Sequence, residues 1–167
     1  MVPAAHGRSV VDGRVFDGRV VDGGPSRAAS VRAGLAALPP EAELVIVHDG
    51  VRPFASPALF ASVLAAVRDG ADAAIPALAV TDTLKRVDGG RVVETLDRAT
   101  VVAVQTPQAF RLATLRAAHA DHGEASDDAA LVEAIGGSVV WVPGAEDNRK
   151  LTTAEDLWWF NAKLAAR

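Results

Sequence analysis

A set of short apolar runs, each stopping at a polar turn, constrains this chain most. Leu44-Val45-Ile46-Val47 runs into His48-Asp49-Gly50-Val51-Arg52-Pro53, and Val101-Val102-Ala103-Val104 runs into Gln105-Thr106-Pro107-Gln108. Val139-Val140-Trp141-Val142 leads toward Asn148-Arg149-Lys150. Apolar runs of this length between turn residues read as strands buried on both faces, as in a sheet covered by helices on either side. Open α/β sheets take their ligands just beyond the carboxyl ends of such strands. Asp49, Arg52 and Lys150 therefore stand where a small anionic ligand would sit, and no glycine-rich phosphate loop precedes them.

The segments between these runs read mainly as helices. Ser30 to Leu38 looks helical and is stopped by Pro39-Pro40, and Ser56 caps a helix that opens at Pro57 and runs to about Arg68. Residues 72–76 form another buried strand, residues 101–105 a further one, and a helix covers 111–120. Ser126 is expected to cap a helix with Asp127 and Asp128 in its first turn, ending at Gly136-Gly137. Strand 138–142 follows, then a helix from near Thr153 whose Leu157, Trp158 and Phe160 are expected to cover the sheet.

From Val80 to Leu96 the pattern changes to a hairpin around Asp88-Gly89-Gly90, and a lone two-stranded hairpin needs something to lie on. Residues 1–22, with Val10-Val11-Asp12-Gly13 repeated as Val20-Val21-Asp22-Gly23, read as an irregular lead-in or short hairpin. The whole, 1–167, is expected to be one α/β sandwich domain with an inserted β-hairpin arm at about 80–98.

Composition narrows the function. With 167 residues, half of them hydrophobic, the chain can bury one good core. No apolar stretch reaches membrane-spanning length and Met1-Val2-Pro3 opens no signal peptide, so the expectation is a soluble, cytoplasmic protein. The absence of cysteine excludes disulfides and thiolate chemistry within the chain. A net charge of -4 argues against a nucleic-acid binder but not against a local cationic pocket. There is no histidine pair or carboxylate cluster spaced for a tight metal site, no G-x-S-x-G elbow and no G-x-G-x-x-G fingerprint.

Each candidate residue also has a plain structural reading. Asp49 could hold a divalent cation or a substrate hydroxyl, or pair with Arg52 to fix the turn. His48, ending a strand, reads as packed and hydrogen-bonded. Gly23-Gly24 could let backbone approach a base or sugar closely, or form a turn. Ser30 could be a ligand hydroxyl or part of a helix opening, and Arg27 reads as a surface arginine. Thr83, Lys85, Arg86 and Arg98 make the arm cationic, which is a solvated face or a set of groups delivered to a neighbouring subunit. Lys150 lies just before a helix N-terminus, where backbone N–H groups favour an anion.

Taken in order, several segments resemble the 2-C-methyl-D-erythritol 4-phosphate cytidylyltransferase family of non-mevalonate isoprenoid synthesis. They are Gly23-Gly24-Pro25-Ser26-Arg27-Ala28-Ala29-Ser30-Val31, His48-Asp49-Gly50-Val51-Arg52-Pro53-Phe54, Asp82-Thr83-Leu84-Lys85-Arg86-Val87, Thr95-Leu96-Asp97-Arg98, Gln105-Thr106-Pro107-Gln108-Ala109-Phe110, Ser126-Asp127-Asp128-Ala129 and Asn148-Arg149-Lys150-Leu151-Thr152-Thr153. The resemblance runs from about Gly23 to the C-terminus. It implies a three-layer Rossmann-like nucleotidyltransferase sandwich that transfers CMP from CTP to methylerythritol phosphate and releases pyrophosphate.

By the same resemblance Gly23, Gly24 and Ser30 would line the cytidine pocket, and Asp49 would hold Mg²⁺ or orient the substrate. Arg52 and Lys150 would contact phosphate or substrate. Thr83, Arg98 and Ser126 would serve the sugar phosphate, Thr83 and Arg98 reaching it across a homodimer. Ser126 stands where the family commonly has threonine, and Gly50-Val51 replaces a more usual Ala-Ala. The family's front strand and glycine-rich CTP loop have no match here, an expected truncation of roughly 60 residues, or two βα units. The chain alone is therefore expected to turn over poorly. A ribitol-5-phosphate cytidylyltransferase is the neighbouring reading, disfavoured by Asp82-Thr83-Leu84-Lys85-Arg86-Val87 and Asp97-Arg98. A non-catalytic remnant that binds a nucleotide or dimerises is the alternative of another class.

Overall fold

The structure, a computed structural model, describes residues 9–11, 14–16, 20–120 and 123–166. Much of the 1–22 lead-in lies outside the described residues. Within it, β1 (Ser9–Val11) pairs antiparallel with β2 (Arg14–Phe16), the hairpin being one of the two readings of that segment. In chain order there follow α1 (Arg27–Ala36), β3 (Leu44–Val47), α2 (Pro57–Arg68), β4 (Ala73–Ala79), β5 (Lys85–Asp88) and β6 (Arg91–Thr95). Then come β7 (Val102–Val104), β8 (Gln108–Arg111), α3 (Leu112–Ala118), α4 (Asp128–Ala134), β9 (Val139–Pro143) and α5 (Ala154–Ala165).

The central sheet is mixed. β8 pairs antiparallel with both β3 and β4, β7 pairs antiparallel with the far end of β4, and β9 pairs parallel with β4. Hence β3, β4 and β9 point the same way, and β7–β8 act as one interrupted strand running against them. The interruption, Gln105-Thr106-Pro107, contains a cis peptide before Pro107 and lies opposite Pro76. Pro76 has no N–H to give, but its carbonyl accepts from Gln105 N at 2.8 Å.

Strand alternation sorts the side chains into two layers of core. Val45 and Val47 of β3, Ala73 and Ile75 of β4 and Phe110 of β8 face α1, α3 and α4 through Leu35, Leu112, Leu115 and Val132. Leu44 and Ile46, Ala74 and Ala109 face α2 through Val63 and Val67. This is the α/β sandwich expected from the alternation of elements, with the three layers that the family resemblance implies.

Full burial on both faces holds for β4, whose first five residues are all buried, but not for β3, β7 or β9. Each of those three pairs with only one strand of the described sheet, so its side chains are only partly covered. Gln108–Arg111, expected as part of a turn and a helix start, is a strand because its backbone fills the gap between β3 and β4. The covering role expected of α5 also needs correction. Trp158 is 72 % exposed and Leu157 52 %, while Trp159 and Phe160 pack instead on Phe54, with ring centroids 5.7 and 5.1 Å away. The 3.6-residue period puts Trp158 on the solvent side of a helix held at one edge.

The arm forms as expected: β5 and β6 pair antiparallel around Gly89 and Gly90, both at positive φ. It leaves the sheet after β4, from the end where β3 and β9 also finish.

Candidate active site

A cleft of about 340 Å³ opens at that end of the sheet, lined by Arg27, Asp49, Arg52, Val104, Gln105, Thr106, Gln108, Ser126, Asp127 and Lys150. Asp49 and Arg52 of one segment, Lys150 of a second and Ser126 of a third are brought together here. Lys150 Nζ stands 3.0 Å from Asp49 Oδ2, and Arg52 Nε stands 3.7 Å from the same oxygen. Asp49 and Arg52 thus form an ion pair across the turn without a hydrogen bond, and a second cation stands on the same carboxylate.

Buried polar groups hold this arrangement. Asn148, fully buried, donates through Nδ2 to Thr106 O at 2.8 Å and to Gln105 Oε1 at 3.2 Å. Its own carbonyl accepts from Arg52 Nη1 at 2.7 Å. Gln105 closes the loop after β9 by donating to Ala145 O at 3.0 Å and accepting from Ala145 N at 3.1 Å. A Cβ at Gly144 would lie 2.7 Å from Gln105 Oε1 and 3.0 Å from the Ala77 carbonyl, so only glycine allows that approach. Leu151 N donates to Val51 O at 2.8 Å, tying the loop that carries Lys150 to the turn that carries Arg52.

His48 belongs to the framework, as its packed reading required. Nε2 donates to Arg52 O at 3.2 Å, so Nδ1 accepts from the Thr106 hydroxyl at 3.0 Å, and Thr106 Oγ1 in turn accepts from Asp49 N at 2.9 Å. The ring packs edge-on against Phe60 at 5.2 Å. Burial, the leading cause, holds the imidazole below its ordinary value, in keeping with a neutral ring that both donates and accepts.

The cap of α4 differs from expectation. Asp127, with extended backbone, is the N-cap: its Oδ1 accepts from Ala130 N at 3.0 Å and its Oδ2 from Gln108 Nε2 at 3.0 Å. The carboxylate gives one oxygen to the helix and the other to the cleft wall, and Ser126 is left exposed at the rim. Asp128 is fully buried between Arg27 Nη2 at 2.7 Å and His119 Nε2 at 3.0 Å. Arg27 is therefore a wall of the cleft rather than a plain surface arginine. The sequence signal for it was its place one turn before Ser30.

The N-terminus of α5 already holds an anion. Asp156 accepts from the backbone N–H of Thr152 at 3.0 Å and Thr153 at 2.9 Å, and from both hydroxyls at 3.0 Å. These bonds, the backbone ones first, push its carboxyl down to about 2. Lys150, expected beside that helix end, turns its Nζ to Asp49 Oδ2 at 3.0 Å.

Gly23, Gly24 and Ser30 stand outside the cleft lining. Gly24 N donates to Ser30 Oγ at 3.1 Å, and a Cβ on Gly24 would lie 2.4 Å from that of Ala29, so the turn lies flat on the first turn of α1. Thr83 is exposed on the arm, and Arg98 Nη1 donates to Thr81 O. Neither lines the cleft of its own chain. Among the described residues no three histidines, cysteines or carboxylates gather as a metal site, and no helix is long and apolar enough to cross a membrane.

A mixed sheet between two helical layers, with a cation-rimmed cleft at its carboxyl strand ends, defines a nucleotidyltransferase-like α/β fold. The chain belongs to the 2-C-methyl-D-erythritol 4-phosphate cytidylyltransferase (IspD) family, which matches residues 10–165. It is 50 % identical over 149 residues to the 2-C-methyl-D-erythritol 4-phosphate cytidylyltransferase of Rubrobacter xylanophilus, covering 86 % of this chain and 64 % of that protein. It is 49 % identical over 157 residues to the bifunctional enzyme IspD/IspF of Nitratidesulfovibrio vulgaris, covering 90 % of this chain and 40 % of that protein. It therefore spans less than two thirds of the length of these curated relatives.

Among solved structures, 4-diphosphocytidyl-2C-methyl-D-erythritol synthase from Anaerococcus prevotii aligns with a TM-score of 0.83 at 39 % identity, covering 90 % of this chain and 72 % of that one. The Thermus thermophilus cytidylyltransferase aligns with a TM-score of 0.78 at 42 % identity, covering 87 % of this chain and 72 % of that one.

Proposed function

We propose that the cleft is the sugar-phosphate side of a cytidylyltransferase site that transfers CMP from CTP to 2-C-methyl-D-erythritol 4-phosphate. A phosphate oxygen of the sugar phosphate attacks the α-phosphorus of CTP, the new P–O bond forms, and pyrophosphate leaves. Both reactants are anions, so the protein's work is to neutralise charge and hold the line of attack. The convergence of Lys150 and Arg52 on Asp49, in a chain that belongs to this family, carries the reading.

Lys150, Arg52 and Arg27 would supply positive charge to the phosphates, and Ser126 a hydroxyl to the sugar phosphate. Gly23, Gly24 and Ser30, within a turn of Arg27, would flank the cytidine. Asp49 Oδ1 has no partner among the described residues and could take a divalent cation. One carboxylate suffices for Mg²⁺ only when phosphate oxygens complete its shell, so the ion would come with the triphosphate and offset its charge. Thr83 and Arg98 would reach the sugar phosphate of a second protomer in a homodimer joined through the arm, in a cytoplasmic enzyme.

The test is pyrophosphate release from CTP, Mg²⁺ and methylerythritol phosphate. It is run with this chain and with this chain joined to the front segment of the Rubrobacter xylanophilus relative. Release that needs both substrates and is lost in Asp49→Ala supports the reading. No release from either form, or equal release with ribitol 5-phosphate, contradicts it.

A further inference from the structure

Behind the cleft, between α1 and α3, lies a separate cavity of about 270 Å³ lined by Arg32, Leu35, Ala36, Arg116 and His119. His119 is only 3 % exposed. Its Nε2 meets Asp128 Oδ1 at 3.0 Å, and a carboxylate paired with Arg27 can only accept, so in the neutral ring Nε2 carries the proton and Nδ1 is the acceptor. That Nδ1 is buried with no partner among the described residues, and so is Arg32 Nη1.

Arg32 Nη2 stands 3.8 Å from Glu124 Oε1, beyond hydrogen-bond reach, so Glu124 does not satisfy the guanidinium. Arg116 Nη2 donates to Leu35 O at 3.2 Å, which holds a second guanidinium at the same wall. Buried polar atoms are normally paired. An unpaired donor and an unpaired acceptor on two residues that line one cavity fit a ligand that both accepts and donates, with negative charge for the two arginines.

We propose that this cavity binds a phosphate group that retains a P–OH. Its charged oxygens accept from Arg32, and its hydroxyl donates to His119 Nδ1. No function of the cleft uses these groups, yet Asp128 joins the two places, holding His119 on one oxygen and the cleft residue Arg27 on the other.

The test follows the His119 imidazole nitrogens by NMR in ¹⁵N-labelled protein, its signal identified by its loss in His119→Asn. Inorganic phosphate and glycerol phosphate are titrated separately at neutral pH, where a fraction of each keeps a P–OH and a neutral imidazole can accept from it, and sulfate serves as the anion without one. The expected result is a saturable shift with one or both phosphates, at least about tenfold tighter than with sulfate, the worth of one charge-assisted hydrogen bond. The shift is expected to persist in Lys150→Ala, which weakens the cleft, and to vanish in Arg32→Gln with an unchanged circular dichroism spectrum. A His119 signal that stays in place would mean that water fills the cavity. That result overturns the proposal, as does an equal response in Arg32→Gln, loss of the shift in Lys150→Ala, or sulfate binding as tightly as phosphate.

Discussion

Asp49 follows β3 and Thr83 follows β4, both at the carboxyl ends of parallel strands, but their surroundings differ. Around Asp49 the chain supplies Lys150, Arg52 and a buried frame of Asn148, Gln105 and Thr106. Around Thr83 it supplies an exposed hairpin whose pairs, Arg86 with Glu94 at 2.7 Å and Lys85 with Thr95 at 2.6 Å, lie in solvent. Val87 and Val92 of that hairpin are 63 % and 62 % exposed. The cleft is assembled by one chain through desolvated bonds, whereas the arm's cations meet only its own exposed residues and its valines lie uncovered. That difference is the physical ground for the proposal that Thr83 and Arg98 serve the ligand of a second protomer.

The comparison breaks most visibly if the frame is removed. Asn148→Ala leaves Thr106 O and Gln105 with unmet buried bonds, and should cost about 3 kcal/mol in urea unfolding. Unchanged stability would mean the cleft is not held from beneath. Lys150→Ala keeps that frame, and calorimetry should give about 30-fold weaker methylerythritol phosphate binding, the worth of one charged contact.

Smaller still is the acid limb of stability. Asp156 is held down to about 2, so the folded state binds its proton less readily than the unfolded chain does. Its contribution is complete above the ordinary value of 3.8 and is lost as pH falls from there toward about 2. Asp156→Asn should flatten that part of an acid titration followed by circular dichroism. Least of all, Arg86→Ala on the arm should shift unfolding by under about 0.5 kcal/mol, because exposed ion pairs contribute little. A larger loss would show that the arm is integral to the monomer's stability.

What could be read in the sequence follows the range of the interactions involved. The β3 run, the Ser56-Pro57 helix start and the Thr153 cap depend on neighbours within a turn, and each forms where expected. β8 did not show itself, because a strand at Gln108–Arg111 is dictated by the open edges of β3 and β4 rather than by its own pattern. Asp127 displaced Ser126 as the cap because Gln108, far off in sequence, takes the other carboxylate oxygen.

The same holds for the cleft. Asp49, Arg52 and Lys150 were visible as charges at strand ends. Arg27, by contrast, became a wall through Asp128, at a sequence separation that no local pattern records. The buried Asn148 frame was equally hidden, since asparagine beside Arg149 and Lys150 reads as loop.

The measurement closest to the central claim is calorimetric titration of methylerythritol phosphate into the protein, its Lys150→Ala variant and its Arg86→Ala variant. The account predicts saturable binding that falls about 30-fold in Lys150→Ala and is unchanged in Arg86→Ala. Equal binding by the protein and Lys150→Ala would contradict the cleft as the phosphate site, and loss of binding in Arg86→Ala would move the site to the arm.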